Sequence, residues 1–241
     1  MKIPKLIHQT WMLKNDEYIK TLRDQWLDYN PGYEYFIYDD KDNLQFIREN
    51  FNERIYNCYS RIINGSAKAD FFRYAVLYIK GGAYLDIDFL PKASFADFIE
   101  EDDELIVTHD DQVSRRDVYV DGIFNAFICA QPKHELFLIL IHQICEYIEN
   151  NKHNNVRGAI HHLTGSHLFS AKFKNYFKAQ NIKERKADSY KIVTHNAFTK
   201  SDLDRTITYN NLILFTCQNP IPNRSASPHY GINLELYTDN E

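Results

Sequence analysis

Four charged residues whose spacing could support chemistry lie in an otherwise apolar stretch, residues 66–91. Two of them, Asp70 and Arg73, are three positions apart, so on a helix they would lie on one side and within reach of each other. Charges in such surroundings are stable only when they are paired or line a polar cavity. Considered alone, this pair supports a structural ion pair and a functional site equally well.

The other two charges, Asp86 and Asp88, interrupt a second apolar run, residues 83–90. If this run is a strand, side chains two positions apart share a face and lie roughly 7 Å apart. Repulsion between two carboxylates there would raise the pKa of one of them unless a cation lies nearby. Oxygen ligands of this kind suit Mg²⁺ or Mn²⁺. The pattern therefore predicts a divalent-metal site; the alternative is a pair of solvated acids at a strand end.

A buried helix followed by two glycines would position these charges. Residues 67–80 are apolar or aromatic on nearly every face, which predicts a mostly buried helix. Ser66 is a residue type that favours the N-cap position. Gly81 and Gly82 tolerate positive φ and would end the helix, so that the chain turns into the strand with the two aspartates.

The whole stretch, SAKADFFRYAVLYIKGGAYLDIDFLP, resembles the signature of glycosyltransferases with a sugar-binding region containing a DXD motif, family 32 and its relatives. These include yeast-type α-mannosyltransferases, capsule and lipooligosaccharide transferases, and the glucosyltransferase domains of clostridial toxins. The shared pattern is Ala-x-x-Asp-x-x-Arg, a hydrophobic helix, and Gly-Gly-x-Tyr-x-Asp-x-Asp. A lone Asp-x-Asp would be a weak signal, but the helix before it makes the pattern specific.

The resemblance implies a GT-A fold, which is an α/β, Rossmann-like fold with a mostly parallel central sheet flanked by helices. Residues 1–241 would form a single domain, in which residues 1–130 bind the donor and residues 131–241 face the acceptor. The implied activity is a retaining transfer of a hexose from a nucleotide-diphospho-sugar to a glycan or lipid-linked glycan, with Mn²⁺ or Mg²⁺ as cofactor. A UDP-sugar is favoured over GDP-mannose, and surface polysaccharide synthesis is the expected role.

The resemblance also implies a role for each matching residue. Asp88 would bind the metal ion directly, and Asp86 would hold ribose or sugar hydroxyls and reach the ion through water. Asp70 and Arg73 would hydrogen-bond the donor sugar. Trp11 ends a second matching stretch, Ile-Pro-Lys-x-Ile-His-x-x-Trp, and would stack on the donor base.

Matches in the second half of the chain are weaker. Asn125 matches an asparagine that would contact the sugar or acceptor, although a buried amide bonded to the backbone is an equal alternative. His229 echoes a histidine near the C-terminus that supplies a last metal contact, but the tryptophans expected beside it are missing. Ser166 follows Thr164 and Gly165 where the family has Thr-Gly-Pro, so this turn departs from the pattern.

The order of elements before the signature favours the same fold. Strands and helices alternate, as in sheets with parallel strands. We predict strands over residues 3–11, 33–38, 105–108, 122–130, 192–194 and 212–215, and helices over residues 18–29, 42–51, 53–63 and 134–150. Ligands of such sheets bind at the carboxyl ends of strands, where Trp11, Asp86 and Asp88 are expected.

Composition and charge exclude several classes of protein. With 44% hydrophobic and 15% aromatic residues, the 241-residue chain can form one domain with a sizeable core and is not disordered. A net charge of −5 argues against nucleic-acid binding. Its four cysteines contain no Cys-x-x-Cys pair, which argues against a zinc site and a dense disulfide framework.

The location expected from the sequence is cytoplasmic. The N-terminal segment has no apolar signal-peptide core, and no apolar run is long enough to span a bilayer. Peripheral association with the inner face of a membrane is compatible with both observations.

Two other functions stay open at this point. A haloacid-dehalogenase-type phosphatase also places Asp-x-Asp after a hydrophobic strand, and Asp110 and Asp111 could serve as its later metal ligands. A non-catalytic, carbohydrate-binding relative of the transferases would keep the fold for recognition alone. The cluster of His161, His162 and His167 resembles a set of metal ligands, but it has no acids or cysteines at suitable spacing, so we favour ordinary histidines without a bound metal.

Overall fold

The structure is a computed structural model, and it describes residues 1–110, 122–151, 159–179, 191–196, 206–210, 212–217 and 238. Within these ranges the strands are β1 Leu6–Thr10, β2 Glu34–Tyr38, β3 Gly82–Leu85, β4 Phe89–Pro91, β5 Leu105–Asp110, β6 Gly122–Ala130, β7 Lys191–Asn196, β8 Thr206–Tyr209 and β9 Leu212–Cys217. The helices are α1 Glu17–Tyr29, α2 Asp40–Asn50, α3 Glu53–Arg61, α4 Gly65–Lys80, α5 Glu135–Glu149, α6 Ala159–Leu163 and α7 Ser166–Ala179, with a 3-10 turn at Phe95–Asp97.

All nine of these strands form one sheet in the order β2-β1-β3-β6-β5-β7-β8-β9-β4. Strand β1 is parallel to β2 and β3, and β5 is parallel to β7, whereas β6 is antiparallel to both β3 and β5. Five of the first six strands in this order therefore run in one direction, and β6 runs in the other. The α/β class with a mostly parallel central sheet is confirmed, and β8, β9 and β4 extend it with antiparallel pairs.

The sheet separates two apolar layers. Alternation along β3 shows this directly, because Tyr84 packs into one layer while Ala83 and Leu85 pack into the other. The first layer includes buried side chains of α3, α4, α5 and α7, and the second includes those of α1 and the 3-10 turn. Within the described part of the chain no helix is long and apolar enough to cross a membrane.

Helix α4 begins two residues earlier than the sequence predicts. Its N-cap is Asn64 and not Ser66, because the Asn64 side chain accepts hydrogen bonds from the backbone N–H groups of Ser66 and Ala67 at 3.0 and 3.2 Å. The helix ends where Gly81 adopts a φ of 66°. The predicted burial is confirmed, since nine of its residues, including Asp70 and Arg73, are buried.

The two aspartates of the Asp-x-Asp motif lie in a turn and not in the continuous strand predicted over residues 83–90. Strand β3 ends at Leu85, and the backbone N–H of Phe89 donates to the carbonyl of Asp86 at 3.2 Å, which closes the turn before β4. Ile87 points inward and is 4% exposed. Both aspartates of the turn are partly exposed, while Ile87 between them is buried.

Gly82 is required where β3 passes β1. Its φ is 93°, and a Cβ atom there would lie 2.6 Å from the carbonyl oxygen of Leu6, closer than any real Cβ contact. Gly32 has a similar φ of 83°, but a Cβ there would meet nothing within 4 Å. A side chain at position 32 would therefore cause backbone strain alone, whereas a side chain at position 82 would cause strain and a steric clash.

We predict that Gly82→Ala lowers the free energy of unfolding by roughly 3 kcal/mol or more, because strain and overpacking add. The matched control Gly32→Ala adds strain alone and should cost about 1 kcal/mol. Urea denaturation of both variants measures the difference. Equal losses of unfolding free energy in the two variants would mean that the close approach of β1 and β3 adds no steric cost at Gly82.

Candidate active site

A buried arginine forms the centre of the site. Arg73 donates from Nη1 to Asp70 Oδ1 and from Nη2 to Asp86 Oδ1, both at 2.5 Å. Its side chain is 3% exposed, and its guanidinium carbon lies 4.6 Å from the centroid of the Tyr84 ring, within cation–π range. The predicted Asp70–Arg73 pair is confirmed as an ion pair. Arg73 also joins α4 to the turn that contains Asp86, which spacing alone did not reveal.

Asp70 accepts hydrogen bonds from three different parts of the fold. Its Oδ1 accepts from Arg73 and from Asn125 Nδ2 on β6, at 2.8 Å for the latter. Its Oδ2 accepts from the Thr164 hydroxyl at 2.9 Å. Because every bond comes from a buried donor, the Asp70 carboxylate is fixed in position.

Thr164 and Tyr74 belong to the site but were not predicted from the sequence. The Tyr74 hydroxyl donates to the Thr164 carbonyl at 2.7 Å and accepts from the Asn125 amide at 3.2 Å. A Cβ atom on Gly165 would lie 3.4 Å from Asp70 Oδ2, so the turn between α6 and α7 packs tightly on this carboxylate. The Thr-Gly dipeptide was the available signal, but nothing local connects it to α4.

The Asp86 carboxyl has an unusual electrostatic environment. Burial raises its pKa to about 7, Arg73 opposes this increase, and the neighbouring Asp88 and Asp70 carboxylates add to it. Its side chain is still 38% exposed, so it can be reached from solvent. A cation placed against this carboxyl would stabilise its charged form.

The Asp86–Asp88 turn fits a hard divalent ion. Both side chains offer carboxylate oxygens, which Mg²⁺ and Mn²⁺ prefer, and the Asp86 carbonyl is held by Gln9 Nε2 at 3.0 Å. Among the described residues no group of three histidine, cysteine, aspartate or glutamate side chains is arranged to hold a metal ion. A complete coordination sphere therefore needs donors from a substrate, from water or from residues outside the described ranges.

Trp11 lies at the carboxyl end of β1, as predicted. Its backbone N–H donates to the Tyr38 carbonyl at 2.9 Å, and its side chain is 5% exposed in the same apolar layer as Ile87. The residues directly after Trp11 line an open cavity of about 320 Å³. Its lining consists of Met12, Leu13, Lys14, Asn15, Asp16 and Asp39. The stacking of a base on Trp11 stays a prediction.

Other predicted residues lie elsewhere. Asp39 caps α2 and pairs with Lys14 at 3.0 Å. Asp110 is the last residue of β5, and Asp111 and His229 lie outside the described residues. The three histidines near Thr164 are exposed.

A family model matches the part of the chain that contains this ion-pair network. Residues 16–108 match the glycosyltransferase sugar-binding region containing DXD motif. Residues 16–108 of this chain are therefore similar to the sugar-binding region of these glycosyltransferases. The matched residues include α4 and the Asp86–Asp88 turn, but they end before Asn125 and Thr164.

Individual relatives agree with this family. An uncharacterized glycosyltransferase, L373, of Acanthamoeba polyphaga mimivirus is 27% identical over 179 residues, which are 73% of this chain and 66% of that protein. The initiation-specific alpha-1,6-mannosyltransferase of Candida albicans is 36% identical over 93 residues, 35% of this chain and 24% of that protein. The chain thus spans between about a quarter and two thirds of the length of these relatives.

A solved structure confirms the GT-A fold. The PaToxG glycosyltransferase superposes with a TM-score of 0.56 and 18% sequence identity, over 75% of this chain and 72% of that one. At this identity the likeness concerns the fold, and the arrangement of the site is argued from this chain's own residues.

We predict that Arg73→Met lowers the free energy of unfolding by about 3 kcal/mol, because it leaves Asp70 and Asp86 without their shared cation. This value is at the lower end for a broken buried pair, since solvent screens the partly exposed Asp86. The control is Arg23→Met, which removes an exposed partner of Asp24 and should cost less than about 1 kcal/mol. Equal losses in chemical denaturation would contradict a stabilising role of the buried network.

Proposed function

We propose that the chain is a metal-dependent, retaining glycosyltransferase that moves a hexose from a nucleotide-diphospho-sugar to an acceptor hydroxyl. One observation carries this proposal. The buried Asp70–Arg73–Asp86 network continues into a two-acid turn at the sheet edge, inside the region that matches the sugar-binding family. A structural ion pair would not need the second, partly exposed acid, Asp88, beside it.

Arg73 has a donor suited to the sugar. Its Nε atom is buried and has no hydrogen-bond partner among the described residues. Such a buried donor costs roughly 1–3 kcal/mol if it is left without a partner. A hydroxyl of the donor sugar would remove this cost, and Asp70, fixed beside Arg73, could accept from the same ring.

The two-acid turn would hold the cofactor. We assign Asp88 as the direct ligand of Mg²⁺ or Mn²⁺, Asp86 as a contact to ribose or sugar hydroxyls that reaches the ion through water, and His229 as a further ligand. When bound, the ion would neutralise negative charge on the leaving diphosphate as a Lewis acid. Gln9 and the buried Ile87 keep the turn in place for this role.

Retention is proposed from the family resemblance, and for a retaining enzyme the environment of Asp70 favours front-face displacement over double displacement. A double displacement needs a nucleophilic carboxylate, and Asp70 is poorly suited because Arg73, Asn125 and Thr164 all donate hydrogen bonds to it. Asn125 positions Asp70 by donating a hydrogen bond to it. We propose that Asn125 also contacts the sugar or the acceptor directly. Trp11 is the proposed platform for the base.

Two donors are compatible with the site. The spacing of the donor residues resembles the toxin-type enzymes and favours a UDP-sugar. Relatives named for mannosyl transfer, including the Candida albicans protein, favour a mannosyl donor such as GDP-mannose. For the acceptor we propose a glycan or lipid-linked glycan in surface polysaccharide synthesis, at or near the cytoplasmic face of a membrane; a Schizosaccharomyces pombe relative is named an inositol phosphoceramide mannosyltransferase.

The two rival functions make different predictions. A non-catalytic relative would bind a sugar nucleotide without turning it over. A phosphatase would release phosphate from a monoester and would not need Arg73 or Asp70. The family match speaks against the phosphatase, but a non-catalytic relative of the transferases would match the same region, so turnover has to separate that rival.

We predict that the protein releases a nucleoside diphosphate from one donor in a panel of UDP- and GDP-sugars, and only with Mn²⁺ or Mg²⁺. Asp88→Asn should lower this turnover by about 100-fold or more, because the metal supplies several kcal/mol of charge stabilisation. Release of the nucleoside diphosphate from each donor, measured with and without chelator, tests the metal requirement and identifies the sugar.

The matched control is Asp24→Asn, which removes an exposed carboxylate far from the turn in sequence and should leave turnover unchanged. Metal-dependent binding without turnover would establish the non-catalytic rival. Hydrolysis of a phosphomonoester with no effect on sugar nucleotides would establish the phosphatase.

A further inference from the structure

Two exposed histidines near the site have their ring nitrogens facing each other. His162 is near the end of α6 and His167 near the start of α7. Their rings are 4.5 Å apart between centroids with an interplanar angle of 72°, and His167 Nδ1 lies 3.3 Å from His162 Nε2. Two imidazoles in this arrangement either share one proton or share a metal ion.

The separation of the two nitrogens fits a tetrahedral transition metal. Zinc binds imidazole nitrogen at about 2.0–2.1 Å, so two ligands at a tetrahedral angle have nitrogens about 3.3–3.4 Å apart. The observed 3.3 Å is within this range, and a small rotation of two exposed rings would direct both lone pairs to one ion. Nitrogen ligands favour Zn²⁺, Ni²⁺ and Cu²⁺ over Mg²⁺.

We propose that His162 and His167 form a binding site for a divalent transition metal, with Zn²⁺ as the expected ion. Among the described residues no third side chain completes a metal-binding group, so the remaining positions need water molecules or donors from residues outside the described ranges. His161 lies 5.7 Å from His167 between ring centroids and is not assigned as a ligand. This site is separate from the Asp86–Asp88 turn, which offers oxygen ligands only.

The position of the pair gives the ion a structural consequence. The residues between the two histidines include Thr164, whose hydroxyl binds Asp70, and Gly165, which packs against the same carboxylate. An ion bound by both histidines would fix the turn between α6 and α7. It would thereby fix Thr164, which is one of the three donors to Asp70. The proposal does not depend on which sugar, or whether any sugar, is transferred.

The test is titration of the untagged full chain with Co²⁺, a spectroscopic substitute for Zn²⁺, followed by visible absorption and by competition with Zn²⁺. We expect one equivalent of Co²⁺ to bind, seen as a change in its visible absorption band that Zn²⁺ abolishes. His162→Gln and His167→Gln should each weaken binding by about tenfold or more, since even loss of an outer contact to a ligand costs that much. The neighbouring His161→Gln is the matched control and should bind normally.

A second readout separates the site from the two-acid turn. Asp88→Asn should keep the Co²⁺ band, and Zn²⁺ at ten times its dissociation constant should raise the Tm of the wild type by roughly 3–5 °C. His167→Gln should abolish this increase. A band that survives both histidine substitutions, a band lost in Asp88→Asn, or no band at all would overturn the proposal and leave a proton-sharing pair.

Discussion

The buried guanidinium of Arg73 is the interaction on which the rest of the site depends. A cation that is almost fully enclosed by α4 and the sheet is stable only if anions enclose it, and Asp70 and Asp86 supply them from two different elements. The ring of Tyr84 covers one face of the guanidinium. Helix α4 can therefore be apolar on nearly every face and still carry two buried charges.

This constraint explains the local shape of the chain around the motif. Gly82 lets β3 pass close to β1, and β3 then ends at Leu85 so that Asp86 reaches back to Arg73. The inward Ile87 anchors the turn, and Asp88 beside it is partly exposed. Two carboxylates can thus lie at the carboxyl end of a buried strand without exposing the core.

Much of this could be predicted from local sequence patterns. The bounds of β6 were predicted without error, and the i, i+3 spacing predicted the Asp70–Arg73 pair. The family signature predicted the fold. These features depend on neighbours in sequence, which periodicity and capping preferences describe.

The remainder depends on contacts that local patterns do not describe. Thr164 binds Asp70 from 94 positions away, so no helix or strand periodicity indicates it. The end of β3 at Leu85 was missed because residues 83–90 alternate as a strand does. The ion pair between Arg73 and Asp86, which accompanies the turn, is a tertiary contact that local sequence does not indicate. Ser66 was predicted as the N-cap by residue type, but Asn64 precedes it and offers a better acceptor.

The most direct test of the central claim is a double-mutant cycle of Asp70→Asn and Asp86→Asn, measured as the free energy of unfolding. The two aspartates act through one shared cation, so the double variant leaves Arg73 without an anion. We predict that it loses about 1 kcal/mol more than the sum of the single variants, within the range found for coupled residues. Additivity within about 0.3 kcal/mol would contradict the account, because each aspartate would then act independently of Arg73.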